Sequence, residues 1–249
     1  MIRFLLWIVL ISIQVSSYGG TRDPNTPDEK YIEYGKKFKC VLRICGKYKN
    51  EGSQFCASAV ALNRHWIITA AHVVNGAEYA IIKDDAGENH ELSKIIIHKD
   101  FNDDSFGMHD IAVAYTETPI DLDFFPELYR TEDEVGKICG ISGFGITGTF
   151  LTGSQISDSQ RRAGSNIIDS IEKNMIMCSP SRSFKERRTT LEFLISNGDS
   201  GGGLFIDKKL AGINSCVLAS DKNPNASYGD EAGHTRISKY VDWIEENIK

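Results

Sequence analysis

The sequence has no Cys-x-x-Cys pair, no long basic run, no fixed-period repeat and only 6 prolines in 249 residues. Each absence excludes something. Without Cys-x-x-Cys spacing there is no sign of a zinc ribbon or a thioredoxin-like redox centre. Lys plus Arg number 28 against 34 acidic residues, a formal charge of −6. An acidic chain without a basic stretch is not built to neutralise a nucleic-acid backbone. No low-complexity tract occurs, and an apolar fraction of 41% is too high for a disordered chain. Beyond the first residues, no apolar run approaches the roughly 18 needed to span a bilayer.

The first residues point to export. Met1-Ile2-Arg3 carries one positive charge, Phe4 to Ile13 is almost wholly apolar, and Val15-Ser16-Ser17 supplies small residues. That is the order of a secretory signal peptide, expected over 1–17, and the apolar run is short for a membrane anchor. The mature chain, 18–249, is then expected to be secreted, with no membrane attachment and as a monomer. Its length allows one large domain or two small ones. Export makes disulfides accessible to Cys40, Cys45, Cys56, Cys139, Cys178 and Cys216, but spacing alone does not choose their pairing.

Residues Tyr18 to Lys30 are polar and turn-rich, and read as an arm. From Phe38 the chain becomes short β-branched runs between turns. Candidate strands are Lys39–Ile44, Phe55–Leu62, Trp66–Ala70, Tyr79–Lys83, Lys94–His98 and Ile111–Thr116. A second series covers Lys137–Ser142, Asn166–Ile171, Asn174–Cys178, Leu191–Ile195, Gly203–Ile206, Leu210–Asn214 and Gly233–Ile237. Asn63-Arg64 and Asp207-Lys208 look like hairpin turns. Only the end is helical in pattern, with Ser238 as cap and Tyr240, Val241, Ile244 and Ile248 along one face. The expected class is all-β: two small antiparallel barrels and a C-terminal helix. The acidic stretch Thr118–Glu134 would cross between them, dividing the domain into 18–125 and 126–249.

The most specific string is Asn197-Gly198-Asp199-Ser200-Gly201-Gly202-Gly203. Its glycines let the backbone turn sharply, leaving the amides of Gly198 and Ser200 to converge as an oxyanion needs. A serine hydroxyl is inert until a base takes its proton. His72, at the end of Trp66-Ile67-Ile68-Thr69-Ala70-Ala71-His72, sits where a buried strand leaves the core. Asp110, entering Ile111-Ala112-Val113-Ala114, supplies a carboxylate to orient an imidazole. Alone, each of these two is more often a structural residue. Together they follow the order His72, Asp110, Ser200, one of the known orders of a Ser-His-Asp triad.

At this point the chain resembles the chymotrypsin-fold, trypsin-like serine peptidases. The resemblance rests on Thr69-Ala70-Ala71-His72, Asp110-Ile111-Ala112, Gly198-Asp199-Ser200-Gly201-Gly202, Ile141-Ser142-Gly143-Phe144-Gly145, Leu210-Ala211-Gly212-Ile213-Asn214-Ser215 and Val241-Asp242-Trp243-Ile244. It runs from about Phe38 to Lys249. It implies two six-stranded antiparallel barrels with the triad assembled across their interface. Ser200 is then similar to the nucleophile, His72 to the general base and Asp110 to the orienting acid. The amides of Gly198 and Ser200 match the oxyanion hole, Ser215 a donor to the triad aspartate, and Asp199 the partner of the freed α-amino group. Ser215, Cys216 and Val217 resemble the edge that pairs with substrate backbone. Protein or peptide substrates and protein inhibitors are the implied partners, with no cofactor and no metal.

Departures from the family pattern matter. Val73 stands where a half-cystine usually pairs with the position of Cys56. Cys139 matches a half-cystine whose partner position is Ile206, and Ser196 replaces another. Cys178 fits the pattern without its near neighbour, and Cys40, Cys45 and Cys216 are extra. No family disulfide is therefore carried over. Leu194 occupies the pocket position where trypsins have aspartate, with Ile195, Val217 and Ala232 as walls. This implies an uncharged, apolar P1 residue. The loop from Cys178 to Ser200 is long, with Lys185, Arg187 and Arg188 read as solvated. Ser17-Tyr18-Gly19-Gly20-Thr21 resembles the activation sequence, with no basic residue before it, so signal-peptide removal near Ser17 or Tyr18 is expected to supply the activating amine. The alternative is a cut after Arg22 or Lys30. Asp84-Asp85-Ala86-Gly87-Glu88-Asn89-His90-Glu91 lies near a calcium loop of some relatives but lacks the ligand spacing, and Asn225-Ala226-Ser227 is a glycosylation sequon. A silent peptidase homologue serving as a binding module is the competing reading, and the complete triad weighs against it. An accidental motif in a structural β-protein is remote.

Overall fold

Thr21–Arg22 (β1) and the helix Asp28–Gly35 (α1) open the chain in the computed structural model, which describes residues 20–50, 52–104, 107–156, 158–181 and 184–249. The leader expected over 1–17 lies outside them. Where the sequence suggests a polar arm over Tyr18–Lys30, there is a short strand and the start of a helix. The reason is tertiary. Tyr31 is fully buried and Asp28 accepts from Nε and Nη2 of buried Arg162, 134 residues away.

The first barrel follows from apolar runs of strand length. Val41–Tyr48 (β2), Gln54–Ala61 (β3), Trp66–Thr69 (β4), Ala77–Lys83 (β5), Asn89–Ile97 (β6) and Ala112–Thr116 (β7) close in the order β2-β3-β4-β7-β6-β5. A one-turn helix, Ala71–Val74 (α2), follows β4. Cys45 lies opposite Cys56 in the β2–β3 register, and the two form a disulfide. Cys40, Cys139, Cys178 and Cys216 carry free thiols.

The second half runs Ile138–Gly143 (β8), Thr147–Thr149 (β9), Gly153–Ile156 (β10), Arg162–Ile167 (β11), Ser170–Glu172 (β12), Met175–Cys178 (β13), Phe193–Leu194 (β14), Gly203–Ile206 (β15), Lys209–Ala219 (β16) and Asp230–Arg236 (β17). Seven strands pair as β11-β8-β15-β16-β17-β13-β12. The amide of Ile168 donates to Lys137 and that of Asp169 to Met177. β11 and β12 therefore act as one bent strand that closes the second barrel. β1 inserts between β9 and β14. The Asp207-Lys208 hairpin has both residues at positive φ, 49° and 67°, as a two-residue primed turn requires.

The C-terminal helix, Val241–Asn247 (α3), packs Tyr240, Val241 and Ile244 into the first barrel's core. Ser238 does not cap it. Its hydroxyl donates instead to Glu134, a fully buried carboxylate also held by Arg236. No helix among the described residues is long and apolar enough to cross a membrane.

Candidate active site

His72 is the second residue of α2, where the chain turns out of the first barrel after β4. Asp110 precedes β7, the strand paired to β4, so strand register brings the two together. Asp110 is 2% exposed. Its Oδ2 accepts from His72 Nδ1 at 2.8 Å and from the Ser215 hydroxyl at 2.6 Å, and its Oδ1 accepts the His72 amide at 2.9 Å. Burial pushes the Asp110 carboxyl up, but the His72 and Ser215 donors outweigh it and hold the group below its ordinary value. With Asp110 as acceptor, Nδ1 carries the proton and Nε2 is left as the base.

Ser215 reaches this carboxylate because β16 bulges there. Asn214 pairs with His234 and Cys216 with Gly233, leaving Ser215 outside the ladder. A bulge re-aims its side chain. Cys216 and Ser215 line a cleft of about 240 Å³ beside His72. Burial pushes the Cys216 thiol up to about 11, so at neutral pH it is no rival nucleophile.

Ser200, half-buried, is carried by the loop before β15. Its neighbour Gly201 has φ +82°, and a Cβ there would sit 2.0 Å from Thr69 Oγ1 and 2.1 Å from the Ser58 carbonyl. Only glycine lets the second-barrel loop approach the first barrel this closely. The loop thus lies against β4 and the residue before α2. No hydrogen bond joins Ser200 Oγ to His72 among the described residues; such contacts tighten when substrate binds.

The loop's carbonyls are all occupied. Asn197 accepts from Ile146, Gly198 from the Ser58 hydroxyl, Asp199 from Gly202 and Asn214, and Ser200 from the Ser58 amide. Because a trans peptide points N–H and C=O oppositely, the Gly198 amide points away from Ile146 and the Ser200 amide away from Gly202 and Asn214.

Asp199 is fully buried, and burial pushes its carboxyl up to about 6 although three amides, of Ser196, Gly145 and Gly20, donate to it at 2.8 Å. The residue on Asp199 is therefore Gly20. Ser17 and Tyr18, expected near this carboxylate, lie outside the described residues. Leu194 and Ala232 are fully buried, Ile195 is 3% exposed and Val217 is half-buried.

His234 and Ser58 carry no local motif and escape a sequence reading, and the string that holds Asn214 does not give its partners. Asn214 donates through Nδ2 to the carbonyls of Ser142 and Asp199, which fixes its amide orientation and leaves Oδ1 for His234 Nδ1 at 2.9 Å. His234 Nε2 is buried without a partner among the described residues, and burial pushes this imidazole down to about 3. Among the described residues, two donor groups have ligand atoms within 4.8 Å of one another: His98, Asp100 and His109, and Asp84, Glu88 and His90. In the first, His109 is engaged by Tyr240; in the second, His90 is engaged by Thr118.

The trypsin family model matches residues 40–244. Serine protease SSP1 of Scolopendra subspinipes is 24% identical over 265 residues, covering 97% of this chain and 86% of that protein. Trypsin of Sus scrofa is 28% identical over 223 residues, covering 80% and 87%. Among solved structures, mouse brain neuropsin aligns with a TM-score of 0.67 at 20% identity, over 85% of this chain and 95% of that one. HL collagenase aligns at 0.66 and 19%, over 84% and 93%. At these identities the two structures speak to the fold, while the family model spans most of the sequence. The chain belongs to the trypsin family.

Proposed function

We propose that the chain is a secreted serine endopeptidase that hydrolyses peptide bonds through an acyl-enzyme on Ser200. The observation that carries this is the hydrogen-bonded line from Ser215 through Asp110 to His72, with Ser200 on the glycine-rich loop that Gly201 seats against β4. His72 takes the Ser200 proton as the oxygen attacks the substrate carbonyl, and Asp110 stabilises the resulting imidazolium. The amides of Gly198 and Ser200 hold the tetrahedral oxyanion. His72 then protonates the leaving amine, and water repeats the sequence to release the acid. In this reading residues 1–17 are removed as a leader, 18–249 form one peptidase domain of two barrels, and the chain works without cofactor or metal.

A fluorophosphonate probe tests it, since only an activated serine is labelled. The wild type is expected to label at Ser200. Ser200→Ala is expected to abolish both label and turnover without changing the melting temperature, and His72→Ala to be comparably damaging because the residues act as a unit. An unlabelled, correctly folded wild type would favour the binding-module reading.

At the positions that the family resemblance gives to the specificity pocket, the residue types favour an uncharged, apolar P1. Leu194, Ile195 and Ala232 offer no carboxylate, and an unpaired Arg or Lys head group there would be costly to bury. In a P1-varied peptide library, Ala, Val or Leu substrates are expected to outrun Arg and Lys by roughly 10²-fold or more, corresponding to about 3 kcal/mol. Preferred cleavage after Arg would overturn this.

A further inference from the structure

We propose that Ser58 is a positioning residue for the oxyanion hole, its hydroxyl fixing the Gly198–Asp199 peptide so that the amides on either side stay turned to the reacting carbonyl. The inference rests on the peptidase reading above.

Ser58 lies on β3 of the first barrel and is fully buried. Its Oγ accepts the Phe144 amide at 2.9 Å and lies 2.9 Å from the Gly198 carbonyl. A hydroxyl has one proton. The Phe144 N–H occupies a lone pair, so that proton goes to Gly198. The Ser58 amide meanwhile donates to the Ser200 carbonyl at 2.9 Å. One residue thus grips the loop at two points, on either side of Asp199.

The grip matters because Gly198 cannot hold itself. Its φ is +92°, and without a Cβ it turns easily into other conformations. Rotation there would swing the Gly198 amide away from the oxyanion. The neighbouring peptides are anchored from within the second barrel, by Ile146 on one side and by Gly202 and Asn214 on the other. Among the described residues, Ser58 alone hydrogen-bonds the loop's centre to the first barrel. Its carbonyl also accepts the Thr69 hydroxyl at 2.8 Å, three residues before His72. The oxyanion donors are thereby registered against the base.

The test compares wild type with Ser58→Ala and Ser58→Cys, the thiol being near in shape but a weak donor. Three readouts are needed: kcat and KM on a peptide anilide, affinity for a peptide boronate, and affinity for the matching peptide carboxylate. Only the boronate forms a tetrahedral adduct that uses the oxyanion donors. The expected result is a kcat lower by roughly 10–100-fold, below the 10²–10³ for outright loss of one donor, with KM within about twofold, as for a transition-state interaction. Boronate affinity should fall in step with kcat, while carboxylate affinity stays put. Fluorophosphonate titration counts the competent sites, so misfolded protein does not pass for slow protein. If Ser58→Ala does not fold, Ser58→Cys carries the same expectation. Boronate affinity and kcat unchanged in the folded variants would overturn the role, as would equal losses for boronate and carboxylate, the mark of general disruption. A wild type inert to the probe would overturn the peptidase reading and this role with it, a result distinct from any difference between variants.

Discussion

At the scale of single residues, Asp110 shows how a buried charge is kept. Burial alone would favour its neutral form, yet the donors on its two oxygens hold it ionised. A carboxyl held below its unfolded value adds stability above that value, and the gain is lost as pH falls through the folded one. Ser215→Ala removes one donor. At neutral pH it is expected to cost about 1.5–3 kcal/mol, the range for a hydrogen bond to a charged group. The deficit should vanish below the folded-state pKa, where Asp110 is protonated in both proteins. Denaturant melts of the pair from pH 2 to 7 measure this, and a pH-independent deficit would assign Ser215 a packing role only. His72, Asp110 and Ser200 were legible in sequence because each lies in a local string tied to its chemistry. The contacts of Ser58 and Asn214 were not, although Asn214 lies in a recognised string, since their bonds to the Gly198 and Asp199 carbonyls join residues 140 and 15 positions apart and leave no spacing rule.

Among elements, strand runs were readable from their apolar spacing, and the departures trace to long-range contacts. α1 is short, polar and preceded by Pro27 without a side-chain cap, so nothing local announces it. It stays because Arg162, 1% exposed, donates to both oxygens of Asp28 and to Asp158. The Ser215 bulge is equally silent in sequence, though it aims the side chain that supports Asp110. Removing one partner of a buried ion pair leaves the other uncompensated, at about 3–5 kcal/mol. Arg162→Ala leaves Asp28 paired to Arg22 and Asp158 partly exposed, so it is expected to lose less than that in urea unfolding, about 1.5–3 kcal/mol, and to expose the 28–35 segment to proteolysis. A loss below about 1 kcal/mol, with the segment still protected, would show that Tyr31 packing alone seats α1.

Across the whole molecule, the two barrels meet at the reactive groups, and the N-terminal segment decides how the second barrel's loop is held. β1 lies between β9 and β14, and Gly20 seats its amide on the buried Asp199. A side chain at Gly20 would strike Phe193 and the Leu194 carbonyl at 2.2 and 2.7 Å, so glycine is required there. Signal-peptide removal near Ser17 or Tyr18 would leave that nitrogen an amide. A chain beginning at Gly20 would instead place an ammonium 2.8 Å from the carboxylate. The two forms should respond oppositely to pH. With an amide, Asp199 titrates near 6 in the folded state against 3.8 as its reference. The folded protein then binds more protons between those values, and stability falls as pH rises through that window. With an ammonium, Asp199 is ionised, and the amine is raised above the ~7.7–8.0 of a free α-amino group. Its stabilisation is full below the unfolded value and is lost as pH rises through the folded one. N-terminal sequencing of the active protein, with melts at pH 4 to 10, decides between them. With 1–17 removed and Gly20 an amide, stability falling as pH rises between 3.8 and about 6 is the expected result; a start at Gly20 with stability declining only above about pH 8 would replace it with the ammonium form. A start after Arg22 or Lys30 would remove Gly20 altogether and end this account of activation.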